Sequence, residues 1–208
     1  MANKWALVLG KKGTRNEPIA GDNNARDMAA VLKSIYGFDS ANIRMLLNNK
    51  FTRDSELAGI QWLIDNADAQ SSVFFFYSGH GGHSGAIGTG GYGVIDYLRS
   101  IDLANLLVPL KYERLALVFE CCFSGNMVAD LAGPNRVVAA STRVDELGVS
   151  SSQSSPFSRT FIDEGMKQGL ADTDGDGKVS VEEALAYYAK RTGEGGTLSD
   201  NYPNGLIP

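Results

Sequence analysis

Two residues of this chain have the type and the setting for acyl-transfer chemistry. His80 follows the apolar run 72–77 within Ser78-Gly79-His80-Gly81-Gly82, and Cys122 follows the run 115–119 within Glu120-Cys121-Cys122-Phe123-Ser124-Gly125. Each sits where a run with strand character gives way to a glycine-containing turn. In an open α/β sheet the carboxyl ends of parallel strands face one crevice, and ligands bind there. A thiol and an imidazole in that crevice can perform nucleophilic acyl transfer, with Cys122 as nucleophile and His80 as base. The glycines beside His80 let a substrate backbone approach, and the Gly81 N–H can point into the crevice. A lone histidine at a strand end otherwise acts as a hydrogen-bonding cap. A free cysteine is otherwise an inert core residue, which suits Cys121, since it alternates to the other side of its strand. His83 belongs to no motif and reads as a loop histidine. Residues 127–131 read as a helix, so Cys122 lies near a helix N-terminus, a setting that favours thiolate. Adjacent cysteines lack the usual zinc spacing, so a metal site built from them with His80 and His83 is disfavoured.

Glu120 precedes Cys122 by two positions and points the same way along the strand. A carboxylate beside the nucleophile disfavours its thiolate unless it is engaged elsewhere. A cationic substrate side chain would engage it; a cap on the following helix is the plainer alternative.

A second constellation lies at 172–183, Asp-Thr-Asp-Gly-Asp-Gly-Lys-Val-Ser-Val-Glu-Glu. It satisfies the EF-hand loop pattern, and Ca2+ is the expected cofactor. Asp172, Asp174 and Asp176 take positions 1, 3 and 5, Gly177 makes the sharp turn, Lys178 offers its carbonyl, and Glu183 is the bidentate position 12. Residues 157–170 supply the first helix, and Val181, Ala184, Leu185 and Tyr188 mark the second. A single loop of this kind fits a structural ion better than a sensor. The alternative is a capping box, Ser180 with Glu183, after an acidic turn.

These residues need a scaffold. Apolar runs at 5–9, 43–47, 73–77, 115–119 and 137–140 read as strands buried on both faces. Helical spacing links Met28, Val31, Leu32 and Ile35; Leu57, Ile60, Ile64 and Ala67; and Leu103, Leu106 and Leu107. The alternation implies an α/β fold, a doubly wound and mostly parallel sheet, in a single domain over 1–208. Residues 82–93 and 148–155, rich in glycine and serine, read as loops near the crevice. The 208 residues are 43% hydrophobic with a net charge of -5, and no Lys/Arg block points to nucleic acid or an anionic membrane. No apolar run approaches the ~20 residues of a membrane span. Two adjacent cysteines make poor disulfide material, and the strand beginning near residue 5 leaves no room for a signal peptide, so a cytoplasmic location is expected.

The pair Tyr77-Ser78-Gly79-His80-Gly81 and Glu120-Cys121-Cys122-Phe123-Ser124-Gly125 resembles the caspase-fold (clan CD) cysteine peptidases, a group with metacaspases, legumains, clostripain-like enzymes and gingipains. The resemblance implies a three-layer α/β/α fold with a mostly parallel sheet of roughly six strands. It implies that Cys122 attacks a peptide carbonyl, that His80 protonates the leaving amine, and that the N–H groups of Cys122 and Gly81 hold the oxyanion. Glu120, Ser78 and a residue at or near Asp22 would line the primary specificity pocket and select Arg or Lys in a peptide or protein substrate. Cleavage after Asn, with Arg15 in a mixed-charge pocket, is the alternative. A transamidase and a catalytically silent adaptor are the others.

Overall fold

The computed structural model describes residues 3–14, 16–89, 96–203 and 205–208. The five apolar runs form strands β1 (Lys4–Gly10), β2 (Ile43–Leu47), β3 (Ser72–Ser78), β7 (Arg114–Glu120) and β8 (Arg136–Ala140). Between β3 and β7 come three short strands, β4 (Gly81–Gly82), β5 (Ala86–Thr89) and β6 (Asp96–Arg99), and β9 (Thr197–Asp200) ends the series. The main sheet has six strands in the order β2-β1-β3-β7-β8-β9. All its pairs are parallel except β8 with β9. Among the described residues five α-helices flank it: α1 (Gly21–Ser34), α2 (Arg53–Asn66), α3 (Ser100–Leu106), α4 (Asn126–Leu131) and α5 (Val181–Thr192).

Alternate residues of the central strands feed two separate cores. Phe74, Phe76, Ala116 and Val118 pack with Met28, Val31 and Leu32 of α1 and with Ala184 and Tyr188 of α5. Phe75, Tyr77, Leu117 and Phe119 pack with Ile60 and Leu63 of α2, Leu103 of α3 and Met127 of α4. Both faces being covered is why these strands read as unbroken apolar runs. The result is the expected three-layer α/β/α fold with a mostly parallel six-stranded sheet.

Four readings change. The segment 82–93 is not simply loop: β4 and β5 lie within it, paired antiparallel with each other, and β5 pairs on to β6. The part of that segment from Gly90 onward, like Arg15, lies outside the described residues. The buried stripe of α2 is Glu56, Gly59, Ile60 and Leu63, rotated from the expected one, because a glycine at 59 lets the helix close on Leu7, 2.9 Å from where a β-carbon would stand. Ile35, expected on the buried stripe of α1, caps its C-terminus and is 51% exposed. The helix expected at 157–170 is π-helical over Ser158–Lys167. Among the described residues no helix is long and apolar enough to cross a membrane.

The first crossover leaves β1 to β2 on one side, and the chain returns to β3 on the other, so the strand order reverses between β1 and β3. That switch point opens a crevice at the carboxyl ends of the strands. α1 starts against it because Gly21 has no side chain: a β-carbon there would lie 2.3 Å from the Ser78 carbonyl.

Candidate active site

The β3/β7 register pairs Phe76 with Val118, Tyr77 with Phe119 and Ser78 with Glu120. Continuing the alternation, Glu120 and Cys122 project to the α1/α5 side and Cys121 to the other. Cys121 is buried, and burial pushes its thiol well above the usual range, with the Cys122 and Glu120 charges adding to the effect. It is the inert thiol of the two. Cys122 is half-exposed, and its Sγ accepts the Gly148 N–H at 3.4 Å. That donor replaces the helix end expected to serve the thiolate. α4 begins four residues later, and its leading N–H groups go to the carbonyls of Phe123 and Ser124.

His80 leads into β4 and is half-exposed. Its carbonyl accepts the Tyr77 hydroxyl at 2.7 Å and the Gly88 N–H at 2.9 Å. The second bond brackets the facing pair Gly81 and Ile87. Gly81 is therefore a non-hydrogen-bonded position, and its N–H turns away from β5. Cys122 packs on its α-carbon: a β-carbon on Gly81 would stand 1.9 Å from the Cys122 carbonyl. Only glycine brings the histidine segment this close to the cysteine turn.

The turn after Cys122 is strained and pinned. Phe123 has φ 58°, a left-handed conformation costly for a residue with a β-carbon. Its N–H donates to the Glu146 carbonyl at 2.8 Å, and its ring lies 3.9 Å from the exposed His83 ring. Ser124 and Thr142 exchange hydrogen bonds in the interior, and the Thr142 hydroxyl reaches the Cys121 carbonyl at 3.1 Å.

Below Cys122 lies a buried polar cluster. Glu120 accepts Asn24 Nδ2 on both oxygens at 3.1 Å, the Ser158 hydroxyl at 2.9 Å and the Ser155 hydroxyl at a short distance. Asn24 also donates to the Ser78 hydroxyl at 3.2 Å. Burial raises the Glu120 carboxyl, and hydrogen bonds from Ser155, Ser78, Ser158 and Asn24 pull it back. Asp22 is not in this cluster. Its carboxylate accepts Asn48 Nδ2 at 2.8 Å. The α1 residue that meets Ser78 and Glu120 is Asn24, two positions on, because the helix turns Asp22 off the crevice. Ser155 and Ser158 lie in and beyond the serine-rich stretch, whose composition gave no hint of a target carboxylate. The cleft is lined by Ser78, Glu120, Cys122, Gly148, Tyr188 and Glu194, among others, and holds about 40 Å³ of space for solvent, room for only ~3 waters. Gly148 roofs it: a β-carbon there would lie 3.4 Å from the Cys122 nitrogen.

The acidic loop lies elsewhere, between the π-helical segment and α5. Asp172 accepts the N–H groups of Gly175 and Gly177, Asp174 that of Asp176, and Asp176 that of Lys178. One carboxylate oxygen from each aspartate lies within 4.8 Å of the others. Glu183 forms the capping box with Ser180 and also accepts from Thr173. Partial burial would raise its carboxyl, but the donors of Ser180 and Thr173 hold it at about 2.

A three-layer fold whose sheet brings a thiol and an imidazole to adjoining strand ends, with a glycine packed against the cysteine turn, defines the caspase-like class of folds. The chain belongs to the caspase-domain family of cysteine-type peptidases, whose family model matches residues 3–193. It is 27% identical over 145 residues to metacaspase-1 of Saccharomyces cerevisiae, covering 59% of this chain and 34% of that protein. It is 36% identical over 144 residues to metacaspase-1 of Lodderomyces elongisporus, covering 65% of this chain and 31% of that one. The chain thus matches about a third of the length of these relatives. Crystal structures of a Geobacter sulfurreducens protein (TM-score 0.72, 16% identity, 99% of this chain and 98% of that one) and of caspase-1 from Spodoptera frugiperda (TM-score 0.71, 11% identity, 99% and 91%) share the fold.

Proposed function

We propose that this chain is a cysteine endopeptidase that hydrolyses peptide bonds after Arg or Lys. The observation that carries the proposal is the close packing of Gly81 on the Cys122 turn, beside a half-exposed thiol and imidazole. In the reading, the Cys122 thiolate adds to the scissile carbonyl and forms a C–S bond. The resulting oxyanion is held by the N–H groups of Gly81 and Cys122, each such donor contributing ~10²–10³-fold in rate. Collapse breaks the C–N bond, His80 gives its proton to the departing amine, and water then hydrolyses the thioester. The carboxylates that line the cleft, Glu120 and Glu194, support a basic preference; a caspase-like taste for Asp would set carboxylates against each other.

The test is a panel of fluorogenic peptides with Arg, Lys, Asn or Asp at the cleaved position. Basic substrates are expected to turn over fastest. Cys122→Ala should abolish turnover and covalent labelling by a thiol-directed inhibitor, and Cys121→Ala should keep both. Asn substrates cleaved best would favour the Asn-directed alternative. Full activity in Cys122→Ala would sink the nucleophile.

The loop at 172–183 is the second part of the proposal. Asp172, Asp174, Asp176, the Lys178 carbonyl and Glu183 would hold Ca2+, with Glu183 giving up its Thr173 and Ser180 donors to do so. Support comes from the complete loop pattern and from the convergence of the three aspartates. Calorimetric titration of chelator-treated protein should show one site. Saturating calcium at a hundred times its dissociation constant should stabilise the fold by ~2.7 kcal/mol. No heat and an unchanged melting temperature would leave the capping box as the loop's whole role.

A further inference from the structure

The cleft beneath Cys122 is lined by two carboxylates, Glu120 and Glu194, in different states of engagement. A carboxylate offers about four acceptor positions. On Glu120 both oxygens are engaged: the Asn24 amide bridges them, Ser155 donates to Oε1 and Ser158 to Oε2. A guanidinium or ammonium could reach Glu120 only by displacing those donors, and each displaced group would be left unpaired in the interior.

Glu194 stands just beyond α5, after the left-handed cap Gly193 at φ 70°. It is half-buried, and its Oε2 accepts the Tyr188 hydroxyl at 2.6 Å. Tyr188 is itself fixed by a bond to Ser141 at 3.0 Å. That single contact aims the carboxylate and leaves acceptor positions open. The C-terminal carbonyls of α5 add negative potential at the same end. The neighbouring cation, Arg143, packs on Gly195 and pairs with Glu146 at 3.8 Å.

We infer that Glu194 is the carboxylate that reads the positive charge at the cleaved position, while Glu120, Asn24 and Ser78 form a fixed floor beneath it. The inference rests on the basic-specific cysteine-peptidase reading.

The experiment compares two peptides identical but for Arg or citrulline at the cleaved position, which differ in charge and hardly in shape. The measured quantity is the Arg-to-citrulline ratio of kcat/KM in the wild type, Glu194→Gln and Glu120→Gln. Glu194→Gln should lower that ratio at least tenfold, and Glu120→Gln should lower both substrates together. Glu194→Asp keeps the charge, and its ratio should fall between those of the wild type and Glu194→Gln; it serves as well if Glu194→Gln fails to fold. An unchanged ratio in both Glu194 variants, or a collapse confined to Glu120→Gln, would overturn the inference while leaving the peptidase reading intact. A wild type that is active but indifferent to the charge would overturn the basic preference and the inference together.

Discussion

Glu120 and Glu56 are both buried carboxylates, on opposite sides of the central sheet, and they are kept in opposite ways. Glu120, under Cys122, has donors on both oxygens. Glu56, on α2, is 0% exposed, and neither of its oxygens has a hydrogen-bond partner among the described residues. Arg53 is its one ion-pair partner among the described residues, at 3.9 Å. Burial pushes the Glu56 carboxyl up to about 8, with Arg53 opposing and Asp96 adding. The fold thus invests hydrogen bonds in one carboxylate, at the crevice, and leaves the other to be neutralised by a proton. Buried charge is tolerated only by one of those two routes.

The largest effect should come from removing the satisfied member. Glu120→Leu would strand the donors of Asn24, Ser155 and Ser158 in the interior. At 1–3 kcal/mol per stranded group, the loss is on the order of 5 kcal/mol, read as a fall of roughly 15 °C in melting temperature. A near-neutral result would mean that the cluster can repair itself and the contrast with Glu56 is superficial.

Glu56→Gln should act in the opposite sense and only at higher pH. Its folded value of about 8 lies above the ordinary 4.5. The stability contributed by the neutral carboxyl is complete below pH 4.5, declines as pH rises and is lost through pH 8. In Glu56→Gln that decline should vanish, leaving the variant more stable than the wild type at pH 9 by about 5 kcal/mol, at roughly 1.4 kcal/mol per pKa unit. Urea titrations at pH 5, 7 and 9 measure it. A wild type equally stable at all three would show that Glu56 finds a partner when it ionises.

Glu183 supplies the smallest effect, as a half-exposed carboxylate held low by hydrogen bonds. Its folded value of about 2 lies below the ordinary 4.5, so its contribution is present above pH 4.5 and lost as pH falls towards 2. Glu183→Gln should flatten that acid limb and weaken the α5 cap by about 1 kcal/mol. Thermal melts between pH 2 and 6 without calcium would reveal it.

The contrast between the two carboxylates also marks where the sequence could be read. β3 and β7 were legible because both faces are buried and their residues are apolar throughout. The burial of Cys121 followed from strand alternation, with Cys122 left half-exposed beside it. Burial of Glu56 was not legible, since helical spacing assigns a charged residue to the outer face, and here Gly59 rotates the packing. β9 escaped notice because Thr197-Leu198-Ser199-Asp200 is an edge strand with one apolar residue and a backbone that does the pairing. β4 and β5 are held the same way, by backbone pairing with little side-chain pattern. Asn24 and Glu194 were hidden because what matters is their arrival at the crevice from α1 and from the end of α5, which no local pattern encodes.

The stretch from 146 to 155 spans the cleft, giving a carbonyl to Phe123, an N–H to the Cys122 sulfur and a hydroxyl to Glu120. A small electrophile and a peptide would therefore make different demands on it. The electrophile needs only the half-exposed sulfur. On the peptidase reading, a peptide filling the cleft would need that stretch displaced, and its apparent Kd would be the intrinsic value divided by the fraction of molecules standing open. Labelling rate and turnover should accordingly respond independently to changes along 146–155: lengthening that stretch by a few residues would raise turnover of peptides and leave alkylation by iodoacetamide nearly where it was.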